Sequence, residues 1–182
     1  MEAVTRLAQH DHSDLIASAA SGDEFAFRRI IAAHHDDMRR VCFYVAGDRA
    51  IADEATQAAW VIAWKKIGGV REPARLRPWL MAVAVNEAKQ LLRKRRRRAE
   101  IEVPTDGSLE RGGLDPSADV GTLDLRRALA RLDPDDRALL AMRFGAGFNS
   151  NELAAATGIS PSGTRSRIER LLKRLREDLG DG

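Results

Sequence analysis

Apolar residues recur at helical spacing along most of the chain, and almost no segment alternates apolar and polar positions. Between positions 27 and 45 the recurring residues are Phe27, Ile30, Ile31, His34, Met38, Val41 and Val45. This period predicts a helix. Ser21 and Glu24 resemble a capping box at its start, and Gly47 predicts its end. Residues 1–20 carry no such pattern and are predicted to form a loose tail.

The next predicted helix, residues 48–67, has two apolar faces. One face contains Ala59, Trp60, Ala63 and Ile67, and the roughly opposite face contains Ala58, Val61 and Ile62. A helix that is apolar on more than one side is buried on more than one side. In a small domain, one face can serve the core while the other remains available to a partner.

A third helix is predicted to end in an unbroken basic run, from Arg93 to Arg98. It follows a loop with Pro73 and Pro78, and its first turns are apolar. Cations near a helix C-terminus gain only about 0.3–1 kcal/mol each, which is too little to justify six adjacent charges. Such a run can be a disordered tail or a nuclear localisation signal. Its position at the end of an amphipathic helix favours contact with an acidic partner instead.

Residues 99–122 lose all periodicity and change the sign of their charge. Arg111 is their one basic residue, and the acidic ones are Glu100, Glu102, Asp106, Glu110, Asp115 and Asp119. Glycines and prolines punctuate the segment. It is predicted to be an extended acidic linker between two small domains, residues 21–98 and 123–182.

The last segment predicts a helix-turn-helix. Leu125, Leu129 and Leu132 share one helical face, and Asp133-Pro134 is a strong helix start. Residues 149–152 form another capping pattern, and Gly158 marks a turn. Ser160-Pro161 then opens a longer helix, which completes the short helix, glycine turn and long helix of this motif.

The exposed face predicted for the final helix is basic and polar. Its residues are Ser162, Arg165, Arg167, Arg170, Lys173 and Arg174, with Glu169 as the acidic exception. Small polar side chains and arginine in the first turns suit the base edges of a major groove, and later lysines and arginines suit phosphates. A solvated amphipathic helix is the alternative. The turn, the caps and the one-sided charge together favour DNA binding.

Composition narrows the remaining classes. The 182 residues have a net charge of only +3, so the placement of charge matters more than its total. The single cysteine, Cys42, excludes an internal disulfide and favours a reducing compartment. The sequence has no signal-peptide pattern and no apolar run long enough to span a bilayer, so we predict a cytoplasmic protein.

Candidate chemistry along the chain is sparse. Residues 34–37 (His-His-Asp-Asp) and 10–12 (His-Asp-His) could suggest a metal, but no second ligand cluster completes either one. No serine, cysteine or carboxylate constellation supports catalysis. We therefore predict a protein that is not an enzyme, with no metal and no cofactor.

Four stretches, in order, resemble the segments of bacterial RNA polymerase sigma factors of the sigma-70 family, in their small, extracytoplasmic-function type. They are EATQAAWVIAWKKI (54–67), RPWLMAVAVNEAKQLLRKRRRR (77–98), LARLDPDDRALLAMRF (129–144) and FNSNELAAATGISPSGTRSRIERLLKRLRE (148–177). The resemblance covers residues 25–98 and 123–178. It implies an all-α fold of two domains, the sigma region 2 helical bundle and the sigma region 4 helix-turn-helix, joined by the acidic linker.

The resemblance also implies partners and site residues. Region 2 would bind the β′ clamp helices of core RNA polymerase through Asp53, Glu54, Gln57, Ala58 and Val61, with Trp60 and Ala63 turned into its own core. It would recognise and open the −10 promoter element through Trp79, Asn86, Lys89, Gln90, Arg93, Arg95 and Arg96, beside a base pocket shaped by residues 68–78. Region 4 would contact the β flap and recognise −35 duplex DNA through Ser160, Ser162, Arg165, Ser166, Arg167, Glu169, Arg170 and Lys173.

Further implied features concern regulation and the linker. An anti-sigma protein is a candidate partner. In the family the linker threads toward the RNA exit path and the active-site cleft, where its charge can mimic nucleic acid, although a solvated spacer is an equal alternative. Two other functions stay open: a helix-turn-helix regulator that acts without polymerase, and a helical scaffold whose basic faces bind acidic proteins.

Three positions depart from the family pattern. Ala58 stands where an acidic residue is frequent, Thr164 where valine is frequent, and Ser162-Gly163 where glycine-threonine is frequent. Glycine inside a helix costs about 1 kcal/mol relative to alanine. These departures bear on promoter specificity and polymerase contact, and they leave the class unchanged.

Overall fold

The structure, a computed structural model, describes residues 14–101 and 120–180. Its regular elements there are all helical, as the sequence predicts: α1 (14–20), α2 (Glu24–Ala46), α3 (Arg49–Lys66), α4 (Leu76–Ile101), α5 (Val120–Arg131), α6 (Pro134–Leu140), α7 (Ser150–Thr157) and α8 (Pro161–Gly180). Two short 3₁₀ turns, Ile67–Gly69 and Pro73–Arg75, precede α4. The first 13 residues and most of the predicted linker lie outside the described ranges.

Helices α2, α3 and α4 form the N-terminal bundle around one apolar core. The predicted inner face of α3 is confirmed, because Trp60 is 8% exposed and Ala63 is fully buried. The Trp60 ring meets Phe27 edge-on at 5.8 Å between centroids. Cys42 is also buried here, and burial raises the pKa of its thiol to about 11. This thiol is therefore a small apolar core group at neutral pH.

The start of the chain differs from the prediction. Residues 14–20 are helical rather than a loose tail, and they bury Ile16 and Ala19 in the core. The N-cap of α2 is Asp23, which accepts hydrogen bonds from the backbone N–H groups of Phe25 and Ala26. The predicted cap, Ser21, instead donates to the Ser18 carbonyl and helps to end α1. The short apolar pattern of α1 was too brief to recognise by period alone.

The C-terminal bundle begins and ends its helices at the predicted residues. Asp133 caps α6 with Pro134 at its first position, and Asn149 forms a complete capping box with Glu152. Gly158 lies in the left-handed region at φ 74°, which permits the tight turn into α8. Thr164, Ile168, Leu171 and Leu175 are all buried along α8, as the helical pattern predicts.

A single π-turn, Ala141–Gly145, follows α6 and changes which aromatic residue is buried. The wider turn leaves Phe144 61% exposed, while Phe148 is fully buried. Leu125 on the predicted apolar face of α5 is also 41% exposed. A regular helical period cannot anticipate these changes, because the extra residue of a π-turn shifts every later position around the axis.

The helices reach further into the predicted linker than its composition suggested. Helix α4 continues to Ile101, and α5 begins at Val120. Ala99 and Glu100 favour helix, and the first residue after them that opposes it is Pro104. The described break between the two bundles is therefore residues 102–119.

Candidate nucleic-acid interface

The outer face of α3 carries the residues assigned to polymerase binding. Asp53, Glu54, Gln57 and Val61 are exposed, and Ala58 is half-buried between them. Val61 is 56% exposed, which is unusual for an apolar residue in the middle of a helix. The five residues thus share one solvent-facing surface opposite the buried Trp60, as a docking face requires. Asp53 also lies 3.7 Å from Arg39 of α2.

The inner face of α3 is fixed by a polar contact as well as by packing. The Trp60 indole N–H donates to His35 Nδ1 at 3.2 Å. His35 therefore serves the bundle, and the histidine-aspartate stretch at 34–37 gains a structural explanation. Among the described residues, no group of three or more His, Cys, Asp or Glu side chains is placed to hold a metal ion.

The residues assigned to the −10 element lie along α4 in two settings. Trp79 is half-buried against the core, and Lys89 has a side chain only 22% exposed. The others are exposed: Asn86, Gln90, Arg93, Arg95 and Arg96. From Arg93 to Ala99 every residue of α4 is exposed, so the basic run stands clear of the bundle.

One contact ties the basic run to the bundle. Arg95 donates to Asp48 at 2.5 Å, and Asp48 also caps α3 by accepting from the Ile51 N–H. Burial alone would raise the pKa of Asp48, but the hydrogen bonds and charge of Arg95 outweigh it, and the pKa is lowered. Asp48 therefore remains ionised and orients the end of α4 toward the start of α3.

The residues assigned to the −35 element lie on α8, opposite its buried face. Ser160, Ser162, Arg165, Ser166, Glu169, Arg170 and Lys173 are all exposed, and Arg167 is half-buried. Arg170 donates to the Ser166 carbonyl at 3.3 Å, and Lys173 lies 3.9 Å from Glu177. These weak contacts within α8 leave a continuous polar and basic surface.

The first turn of α8 explains the glycine that departs from the family pattern. The Ser160 hydroxyl accepts a hydrogen bond from the Gly163 N–H at 3.1 Å, so Ser160 acts as a cap. A Cβ built on Gly163 would lie 2.9 Å from Ile159 Cγ2 and 3.0 Å from the Ser160 hydroxyl. Glycine therefore permits the close approach of Ile159 and Ser160, and a larger residue would displace the turn.

Sequence patterns missed the partners of two assigned DNA-binding residues. Lys89 lies 2.6 Å from Asp135, and Arg167 lies 2.6 Å from Asp136. Both acids belong to the stretch DPDD, whose sequence indicated a helix cap and favourable first-turn charges. More acids stand there than the cap alone needs, and this surplus was the available signal.

Arg77 is a second residue that the patterns did not single out. Its guanidinium lies 3.1 Å from Asp37 and 3.3 Å from Glu152, and it donates to the Ala146 carbonyl. It also lies over the Phe148 ring, 4.4 Å from the centroid. Arg77 thus joins the N-terminal bundle to the C-terminal one, which no local sequence pattern can indicate.

Membrane insertion finds no support in the helices themselves. Within residues 14–101 and 120–180, no helix combines the length and the apolar character needed to cross a bilayer.

Two family models match the chain at the two bundles. Sigma-70 region 2 matches residues 30–98, and Sigma-70, region 4 matches residues 122–175. The matches fall on the two segments that carry the assigned polymerase and promoter contacts.

Curated relatives match nearly the full chain. RNA polymerase sigma factor CarQ of Myxococcus xanthus is 30% identical over 164 residues, which are 88% of this chain and 92% of that protein. ECF RNA polymerase sigma factor SigM of Mycobacterium tuberculosis strain H37Rv is 30% identical over 175 residues, covering 94% of this chain and 87% of that one.

Solved structures share the fold. CnrH in complex with the cytosolic domain of CnrY superposes with a TM-score of 0.70 at 24% identity, over 93% of this chain and 97% of that one. The sigma factor RpoE in complex with the anti-sigma factor NepR from Bartonella quintana gives 0.66 at 24% identity, over 85% and 96%.

Proposed function

The chain belongs to the sigma-70 family of RNA polymerase sigma factors, in its extracytoplasmic-function type, and from that premise we propose how its surfaces divide the work of promoter recognition. As a sigma factor it directs core RNA polymerase to promoters. The proposal is that α3 binds the β′ clamp helices, α4 binds and helps to open the −10 element, and α8 recognises −35 duplex DNA.

The observation that carries this division is the separation of three exposed faces. The docking residues of α3 surround the exposed Val61, the −10 residues follow α4 to a free basic end, and the −35 residues follow α8 opposite its buried stripe. Exposed apolar surface suits a protein partner. Exposed arginines suit phosphates and base edges.

Strand opening at the −10 element is assigned to Trp79 and Asn86. Base stacking on an aromatic platform is worth about 1–3 kcal/mol per base, which helps to offset the cost of separating the strands. Trp79 is half-buried at the first turns of α4, with Asn86 exposed two turns later. Arg93 and the basic end would then hold the backbone phosphates.

Several coarser properties accompany this role. The members of the family are non-enzymatic initiation factors, and we extend this to the chain itself, with no cofactor. A protein that works with core polymerase acts in the cytoplasm. The two solved structures above are complexes with CnrY and with the anti-sigma factor NepR, and we propose that a comparable protein binds this chain.

The direct test is reconstituted transcription. Purified chain and core polymerase are incubated with a library of genomic fragments, and the RNA is sequenced for start sites. We expect start sites that share −35 and −10 sequences and require the chain. Absence of any chain-dependent transcript, together with absence of core binding, would reject the sigma role; duplex binding by the chain alone would then favour a regulator that acts without polymerase.

The docking face has its own test. Glu54→Ala with Gln57→Ala should weaken binding to core polymerase without altering binding of −35 duplex DNA by region 4. Glu24→Ala, which changes an exposed glutamate on α2 of the same bundle, is the control and should match the unmodified chain. Equal loss of polymerase and DNA binding in the double variant would contradict the assignment to α3.

A further inference from the structure

Two neighbouring acids connect the two promoter-binding sets. Asp135 lies 2.6 Å from Lys89 of the −10 set, and the next residue, Asp136, lies 2.6 Å from Arg167 of the −35 set. Consecutive Cα atoms are only about 3.8 Å apart. The two DNA-binding surfaces therefore approach each other to within a few side-chain lengths.

A second group of contacts joins the same two bundles beside these acids. Arg77 of α4 bridges Asp37 of α2 and Glu152 of α7, and it also donates to the Ala146 carbonyl. Arg40 of α2 donates to the Gly145 carbonyl at 3.0 Å. Both carbonyls lie at the end of the π-turn, where backbone acceptors carry partial negative charge and favour cations.

This arrangement is incompatible with simultaneous binding of both promoter elements. Elements named −10 and −35 lie 25 base pairs apart, which is about 85 Å of duplex at about 3.4 Å per base pair. Two surfaces joined through adjacent residues cannot reach both. Lys89 also cannot contact a phosphate while its ammonium is paired with Asp135.

We propose that Asp135 and Glu152 of region 4, with Lys89, Arg77 and Arg40 of region 2, form a charged latch that holds the free chain closed. The latch competes with promoter DNA for Lys89 and must open before both elements are bound. This inference rests on the proposed promoter roles of α4 and α8, and it adds a regulatory state to them.

The chemistry of the latch makes opening sensitive to salt. Its contacts are charge pairs and charge-assisted hydrogen bonds at a partly exposed interface; the Lys89 side chain is 22% exposed and that of Asp135 is 59% exposed. Such pairs are individually weak and are screened as ionic strength rises. Polymerase and DNA, which present fixed charges of their own, can replace the same contacts.

The state of the latch can be followed by energy transfer between two dyes. Ala50→Cys on α3 and Ala155→Cys on α7 place exposed attachment points on the two bundles, and Cys42→Ala removes the native thiol. We expect high transfer in low salt and a fall in transfer as salt rises. Addition of core polymerase in low salt should produce the same fall.

The latch variant is Asp135→Lys with Glu152→Gln. Glutamine preserves the capping box at Asn149, and no residue assigned to DNA is changed. The matched control is Asp124→Lys with Glu177→Gln, which makes the same charge change in region 4 at acids that pair only with exposed neighbours in the printed contacts, Arg127 and Lys173. Circular dichroism checks that both remain helical.

In low salt the latch variant should already show the low transfer of the open chain, whereas the control should match the unmodified chain. It should also bind a single-stranded −10 oligonucleotide more tightly than the control. If one free molecule in ten is open, the gain is about tenfold. Equal transfer in variant and control, or transfer that salt does not change, would overturn the latch. Loss of promoter-dependent transcription by the unmodified chain would instead reject the proposed function, and the transfer measurement does not depend on it.

Discussion

Helix α8 carries its basic residues on one face and buries Thr164, Ile168 and Leu171 on the other, whereas the last turns of α4 are exposed on every side. The −35 surface is thus supported along its length by an apolar core. The basic end of α4 is supported by charged contacts, chiefly that between Arg95 and Asp48.

This difference suits the two kinds of DNA that the helices are proposed to bind. A rigid helix can present a fixed pattern of side chains to the major groove of intact duplex. A basic segment held by exchangeable charge pairs can adjust to strands whose geometry changes as they separate. The two surfaces should therefore respond differently to core substitutions, salt and pH.

The largest expected effect comes from the apolar support of α8. Leu171→Ala removes a buried side chain and should lower the free energy of unfolding of region 4 by about 2–5 kcal/mol, with loss of −35 binding at the growth temperature. Thermal unfolding and binding to −35 duplex measure both effects. Leu179→Ala, at a position 41% exposed on the same helix, should change either by little; comparable losses would show that the core does not support the surface.

The next effect separates sequence reading from phosphate binding. Arg165→Ala should weaken binding of the preferred −35 sequence by about 1–3 kcal/mol while leaving other sequences less affected. Arg93→Ala should weaken −10 binding of all sequences and lower the slope of log affinity against log salt by about 1. Titrations at several salt concentrations distinguish them. Equal loss of specificity from both substitutions would erase the contrast between the two helices.

A smaller effect is expected at the anchor of the basic run. Asp48→Asn keeps a good N-cap for α3 but removes the charge opposite Arg95, so binding of −10 DNA should fall by about 0.5–1 kcal/mol, the range of a partly exposed ion pair. Because the pKa of Asp48 is lowered in the folded chain, its stabilisation is complete above the ordinary aspartate pKa and is lost as pH falls below it. The variant and the unmodified chain should therefore converge in stability below about pH 4, and a constant difference at lower pH would contradict this role.

The smallest effect concerns the first turn of α8. Helix propensity alone predicts that Gly163→Ala stabilises by about 1 kcal/mol. The short approach of its Cβ to Ile159 and Ser160 should cancel that gain, so thermal unfolding should show no stabilisation. Ser162→Ala, one position earlier and exposed, is the reference. A full gain at Gly163 would mean that the turn accommodates a side chain freely.

The local features of the fold followed from sequence because they depend on neighbouring residues. Asp133-Pro134, Asn149 with Glu152, and Gly158 each form caps or turns through contacts within four positions. The buried stripes of α2, α3 and α8 followed from period for the same reason. Residues 14–20 and the π-turn did not, because a short helix has too few turns to establish a period and an inserted residue alters it.

The partners of the site residues could not be predicted in this way. Arg77 meets Glu152 across 75 positions and Lys89 meets Asp135 across 46. Such pairs depend on how two bundles approach each other, which no pattern within one helix encodes. The resemblance to sigma factors placed the residues on surfaces, and the geometry then added the acids that oppose them. The roles assigned to these residues remain predictions until they are measured.

The account rests most directly on the separation of the two DNA-binding helices, and footprinting of the polymerase complex on one promoter tests it. Holoenzymes with the unmodified chain, Arg165→Ala or Arg93→Ala are compared for protection of duplex DNA and for permanganate reactivity of unpaired thymines. The account predicts that Arg165→Ala reduces protection at −35 first and that Arg93→Ala reduces reactivity at −10 while −35 protection persists. Loss at the same end of the promoter in both variants would contradict it.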